Sequence, residues 1–355
     1  MEICCREPKG RRMRLILVAG MALSLLGCGD RSDAASVADP ELTAVLARWD
    51  QDDKADLKAV VVMRDGKVVA ERYFNGETDK TLHDVRSAGK SVTALLATIA
   101  VDRGLISSLA DPVKTYWPQA ATSAIGDVRL DDVLTMRSGL AAFDADTPSP
   151  GDEDRLDEAA DPVAFTLGVP RAHTPGVHYR YNSLTAYVAG LVIEKAAGRP
   201  MSRFADETLF KPLGIDVWRW DADVAGHTKG QGNLWLTARD FATLGELVRA
   251  RGVYKGHRIV SEAGVDAMLQ PRLQIPPEAD DPYADAYGYF WYAKTYDLGS
   301  RKVPIRFASG NGGNKIYIAP DQRLVVAITS SAYGRGYGQR RSEAILKAIL
   351  EAEGL

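Results

Sequence analysis

Apolar and polar positions change period along the chain, and the change divides it into strand-bearing ends and a helical middle. Near the start, "KAVVVMRDGKVVAERYF" places two β-branched runs around Arg64-Asp65-Gly66-Lys67, which predicts a hairpin. Asp39-Pro40-Glu41 before it predicts a first helix reaching about Trp49, with an N-cap aspartate and proline in the first turn. Near the end, "YGYFWYAKTY", "VPIRFASG", "KIYIAP" and "RLVVAITSS" predict four strands, and "SEAILKAILEAEG" a closing helix.

Between these ends the spacing is helical. Val92, Leu95, Leu96 and Ile99 repeat on one face after Ser87 until Gly104 stops the helix. Leu184, Val188, Leu191 and Val192 do the same after Asn182, with Gly198 and Pro200 as the stop. Thr237 and Asp240 form a capping box for "ARDFATLGELVRARG". The pattern implies an α+β fold: an antiparallel sheet drawn from both chain ends, flanked by helices, with a mostly helical inserted lobe.

Residues 1–28 read as an export leader. A basic stretch precedes an apolar run from Leu15 to Leu26 that is too short for a stable spanning helix. Leu25-Leu26-Gly27-Cys28 resembles a bacterial lipobox, which would make Cys28 the lipidated first mature residue; cleavage near Ala34-Ala35 is the alternative, and Met13 an alternative start. The chain is thus expected in the bacterial cell envelope, exported and lipid-anchored, facing the periplasm. Residues 29–38 form a polar tether, and 39–355 one two-lobed unit, an α/β lobe of about 39–86 and 285–355 and a helical lobe of about 87–284. All three cysteines, Cys4, Cys5 and Cys28, lie in the leader, which leaves no cysteine nucleophile, disulfide or cysteine metal site in the globule. The leader is basic and the whole chain carries −3, so a basic nucleic-acid-binding face is not expected.

The stretch "VRSAGKSVTALL" carries two motifs on overlapping letters. Gly89-Lys90-Ser91 could end a phosphate loop, but such a loop needs glycine five residues before Gly89, where Asp84 stands, and an apolar strand in place of "KTLHDV". Ser87-Ala88-Gly89-Lys90 instead puts a lysine one helical turn from a serine, on the same face. A neutral lysine can take the serine's proton, and burial favours the neutral form. By itself the motif is common, and an N-cap serine followed by a solvated lysine would look the same.

Order and spacing decide between these. "RSAGKSVTALLATIAVDRGLISSLADPVKTYWP", "VRLDDVLTMRSGL" and "TPGVHYRYNSLTAYVAGLVIEKAAGRPM" together resemble the serine β-lactamase and penicillin-binding superfamily, over about residues 40–350. The likeness is to class C β-lactamase-related hydrolases, both esterases and amide hydrolases of the 6-aminohexanoate-dimer-hydrolase type. It implies a β-lactamase/transpeptidase-like fold and a serine hydrolase acting on a small ester or amide, with no cofactor and no metal.

The same resemblance implies the site residues. Ser87 would be the nucleophile, with Lys90 and Tyr181 sharing the proton transfers, Tyr181 made easier to ionise by the nearby ammonium. Ser183 stands where the family usually has asparagine. "FASGNGGNKIYIAP" resembles the family's Lys-Thr-Gly strand, but Ala308-Ser309-Gly310 lacks the lysine. Its glycines Gly310, Gly312 and Gly313 are expected to let a ligand approach the backbone, and the Asn311 N–H to join that of Ser87 as the oxyanion hole. Without a lysine at 308, neutral esters should be better substrates than penicillins, unless Arg301, Lys302 or Arg306 supplies the cation. The alternatives are a D,D-peptidase or β-lactamase, or a non-catalytic binder of cell-wall peptide. The five histidines show no helical metal-ligand pair, although His173 and His178 could line the cleft mouth.

Overall fold

The computed structural model describes residues 38–144, 149–279, 281–299 and 301–354. The leader, including Cys28, lies outside the described residues.

Eight strands form one antiparallel sheet: β1 (Leu57–Arg64), β2 (Lys67–Tyr73), β3 (Leu273–Gln274), β4 (Ala286–Tyr287), β5 (Tyr292–Asp297), β6 (Lys302–Gly310), β7 (Asn314–Ala319) and β8 (Leu324–Ser330). Their spatial order is β2-β1-β8-β7-β6-β5-β4-β3, so the two ends of the chain meet where β1 pairs with β8. The first hairpin turns at Asp65 and Gly66, both at positive φ, as a tight two-residue turn requires. The aromatic run at 287–296, expected as one strand, is two: the chain breaks after β4 and Phe290 takes a positive φ before β5 begins.

Five longer helices matter for the site. They are α1 (Pro40–Ala47), α2 (Gly89–Asp102), α3 (Ser183–Ala197), α4 (Ala238–Arg249) and α5 (Gly336–Ala352). Asp39, Asn182 and Thr237 cap α1, α3 and α4 with their side chains, and Gly198 ends α3 in the left-handed conformation. α5 begins six residues ahead of the predicted closing helix, because Gly336 to Arg341 carry no apolar stripe to betray it. Although it lies inside the stretch assigned to the helical lobe, α4 packs on β8, β1 and β7. A Cβ on its Gly245 would fall 2.5 Å from Ile316 and 2.7 Å from Val325, so helix and sheet touch closely there.

α2 packs against α3 and touches β6. β5 leaves β6 at the Tyr292–Phe307 pair, so beyond it Ala308, Ser309 and Gly310 pair with β7 only. The cleft opens along this free edge.

Candidate active site

Ser87 sits in a 3-10 turn, Arg86–Ala88, that feeds α2. It is not the helix cap: Ala88 occupies that position without a side-chain hydrogen bond. Arg86 holds φ +52°, a conformation that costs about 1–3 kcal/mol for a non-glycine residue and persists only where its surroundings enforce it. Asp84 does so. Its buried carboxylate accepts the Arg86 N–H at 2.8 Å and the Arg86 guanidinium at 3.2 Å, while Asn233 donates to it at 3.2 Å. The aspartate that excluded a phosphate loop thus braces the turn carrying Ser87. On the far side Gly310 packs against the turn, where a Cβ would fall 2.1 Å from the Val85 carbonyl oxygen.

Lys90 is 1 % exposed and uses all three N–H donors. It donates to Ser87 Oγ at 2.9 Å, to Ser183 Oγ at 3.0 Å and to the Gln231 carbonyl at 2.8 Å. Tyr181 lies over this group, its ring centroid 5.1 Å from the ammonium. Sequence reasoning missed the segment Gly230-Gln231-Gly232 that supplies the third acceptor. Its glycines were the available signal: a Cβ on Gly232 would lie 3.1 Å from the Arg86 carbonyl, so glycine lets this segment close on the turn without crowding it.

Asp144 was also missed. One carboxylate oxygen accepts the Ser183 N–H at 3.0 Å and the other the Ser183 hydroxyl at 2.8 Å. It stands on a loop without periodicity, and nothing in its local sequence marks it.

The electrostatics depart from expectation. Burial pulls the Lys90 ammonium toward neutrality, but Tyr181, Glu153 and Asp144 outweigh it, and its pKa stands above the usual lysine value. Burial raises the Tyr181 phenol, and Lys90 and Ser87 only partly draw it back, so it is harder to ionise than a free tyrosine. Burial likewise raises Asp144 and Glu153, with Lys90 opposing in both. At rest the group is a charged lysine facing a neutral phenol, with carboxylates that take up a proton more readily than usual.

The cleft has two adjoining chambers, of about 420 and 570 Å³, which share Asp144, Tyr181, Tyr292, Ser309 and Gln339. Ser87, Gly310 and Asn311 line the smaller one. Asn311 is anchored through its Oδ1, which accepts the Gly334 N–H at 2.8 Å, and its carbonyl, which accepts Asn314 Nδ2 at 2.8 Å. The glycines Gly312 and Gly313 do not make room for a ligand: Cβ atoms there would meet Tyr333 and Ala332, or the Gly338 carbonyl and Ser342. Protein already fills that space, as the nucleophile turn does at Gly310. His173 and His178 pack against each other in a tilted pair, ring centroids 4.8 Å apart, and line neither chamber.

None of Arg301, Lys302 and Arg306, the cations considered in place of residue 308, lines either chamber. Arg306 turns to the Leu269 carbonyl at 3.1 Å, and Lys302 is exposed at the far end of β6. Lys315 of β7, which sequence reasoning did not single out, lines the larger chamber with Ser309. Among the described residues no group of three or more His, Cys, Asp or Glu is placed to hold a metal, and no helix is long and apolar enough to cross a membrane.

A lysine-bridged serine beside a helix start, facing the free end of an antiparallel strand, lies within a β-lactamase/transpeptidase-like fold. The chain belongs to the Beta-lactamase family, whose model matches residues 49–350. It is 27 % identical over 227 residues to 6-aminohexanoate-dimer hydrolase of Paenarthrobacter ureafaciens, a match covering 59 % of this chain and 56 % of that enzyme, so it spans little more than half of that relative. Among solved structures, a penicillin-binding protein homolog from Caulobacter crescentus superposes with TM-score 0.71 at 20 % identity, covering 89 % of this chain and 98 % of the other. A class C β-lactamase from Rhodobacter sphaeroides gives 0.66 at 17 % identity, with 88 % and 100 % covered. These two likenesses concern the fold.

Proposed function

We propose that the protein is a serine hydrolase that cleaves a small ester or amide through an acyl-enzyme on Ser87. The observation that carries this is the 2.9 Å contact between Lys90 Nζ and Ser87 Oγ, backed by Ser183 and Asp144. Because Lys90 rests as an ammonium, it must lose a proton before it can serve as base. It passes one to Ser183 Oγ while Ser183 gives its own to the Asp144 carboxylate, converting an ion pair into a neutral pair. The raised pKa of Asp144 favours that exchange.

Neutral Lys90 then takes the Ser87 proton as Oγ attacks the carbonyl carbon. The backbone N–H groups of Ser87 and Asn311 receive the oxyanion, and Gly310, packed on the turn, keeps the two segments adjacent. Lys90 and Tyr181 return the proton to the leaving group, and water later releases the acyl group by the same route in reverse.

A fluorophosphonate probe tests the assignment. It should label the folded protein at Ser87 and fail with Ser87→Ala; folded wild type that never reacts would favour a non-catalytic binder. Export and lipid anchoring at Cys28 belong to the proposal too, on the strength of the leader sequence alone.

A further inference from the structure

The register of β6 and β7 pairs Ser309 with Lys315 and Phe307 with Tyr317. Directly paired residues share a face, and so do residues two apart on one strand. Tyr292, paired with Phe307, joins them. One face of the sheet therefore presents Lys315 and Ser309 inside a patch of aromatic rings, whereas Ala308 and its partner Ile316 point to the opposite face. A lysine at 308 would not stand where Lys315 stands.

Lys315 is 1 % exposed and lines the larger chamber. An ammonium carries three donors. Among the described residues one of them meets an acceptor, Ser309 Oγ at 2.7 Å. The ring centroids of Phe307, Tyr283 and Tyr317 stand 4.9, 5.8 and 5.9 Å away, and no salt bridge reaches it among the described residues. By accepting from Lys315, Ser309 Oγ turns its own hydroxyl hydrogen away from the lysine, leaving a second donor for the chamber. A buried cation with unused donors among apolar walls is a costly arrangement that a bound anion would relieve.

We propose that Lys315 and Ser309 form a carboxylate-binding subsite, so that the cleft selects substrates carrying a carboxylate attached to an apolar or aromatic segment. The inference deepens the hydrolase assignment and rests on it for the substrate's role. Binding is coupled to proton uptake. Burial lowers the Lys315 ammonium to about 7, while Asp281 from the neighbouring loop and Glu343 of α5 pull it up and Lys294 of β5 pushes it further down. Among the described residues the phenols of Tyr283 and Tyr317 also face it. A bound carboxylate holds the ammonium charged, so anion affinity is full at acid pH and declines as pH rises through that value.

Two ester pairs test this: p-nitrophenyl hydrogen glutarate against its methyl ester, and 4-carboxyphenyl butyrate against its methyl ester. They place the carboxylate on the acyl side or the leaving-group side. In at least one pair the kcat/KM ratio of acid to methyl ester should exceed one by about 10- to 100-fold at pH 6 and fall above pH 7. In Lys315→Met and in Lys315→Gln, which keeps a donor to Ser309, the ratio should drop to near one and lose its pH dependence. No preference in either pair, or a ratio unchanged in the folded variants, would overturn the subsite. Calorimetry of wild type with 4-phenylbutyrate in two buffers of different ionisation heat needs no turnover and decides the matter if the variants do not fold. Binding with net proton uptake at pH 7.5 is expected, and absence of binding refutes the subsite. Failure of the hydrolase assignment would show separately, as ester turnover that survives Ser87→Ala.

Discussion

Asp144 grips Ser183 with both carboxylate oxygens, one on the backbone N–H at 3.0 Å and the other on the hydroxyl at 2.8 Å. Through Ser183 it reaches Lys90, which donates to both Ser183 and Ser87. Asp144 thereby fixes Ser183 and supplies a group able to take a proton. Asp144→Asn keeps an acceptor for Ser183 but removes that ability. Its kcat should fall about 100-fold with KM little changed, since the loss is in proton transfer. Steady-state kinetics on a p-nitrophenyl ester check this; equal rises in KM at constant kcat would mean Asp144 acts only on binding.

Ser87→Ala should abolish turnover while the protein stays folded, because Ser87 supplies no helix cap. Lys90→Ala and Tyr181→Phe should each cost about 10²- to 10⁴-fold in kcat. The double variant should be little worse than the poorer single one, as both serve one proton path. Additive losses would assign them separate tasks.

Lys315 gives stability a pH dependence of definite sign. Its pKa is about 7 in the folded protein and about 10.4 in an unfolded chain. Between those values the unfolded state holds more protons, so this residue makes stability rise with pH there. Below pH 7 both states are protonated and the cost of burying the charge is felt in full. Lys315→Met should therefore be more stable than wild type at pH 6, by a few kcal/mol at about 1.4 kcal/mol per pKa unit, with the advantage shrinking toward pH 10. Urea unfolding at pH 6, 8 and 10 measures it, and a difference independent of pH would refute the sign.

If Cys28 is acylated, Cys28→Ser should move the protein from the membrane fraction to the soluble fraction and stop lipid incorporation, because two or more acyl chains suffice for stable anchoring. Unchanged fractionation would point to ordinary leader cleavage.

Local rules fixed much of this molecule. Asp39, Asn182 and Thr237 mark helix starts because their side chains bond backbone within three residues, and Asp65-Gly66 makes a turn because its conformation suits few other pairs. Ser87 and Lys90 were legible for the same reason, being one turn apart. Tyr181 and Ser183 became legible only through the order of motifs, which stands in for distances the sequence does not contain. Asp144, the Gln231 carbonyl and Lys315 could not be read in this way. Each acts across the fold, on Ser183, on Lys90 and on the chamber beside Ser309. The sign of the electrostatics was decided there too. Burial alone would push Lys90 toward neutrality, and the tertiary placement of Tyr181, Glu153 and Asp144 beside it outweighs that, while Lys315, set among aromatic rings, is pulled toward neutrality.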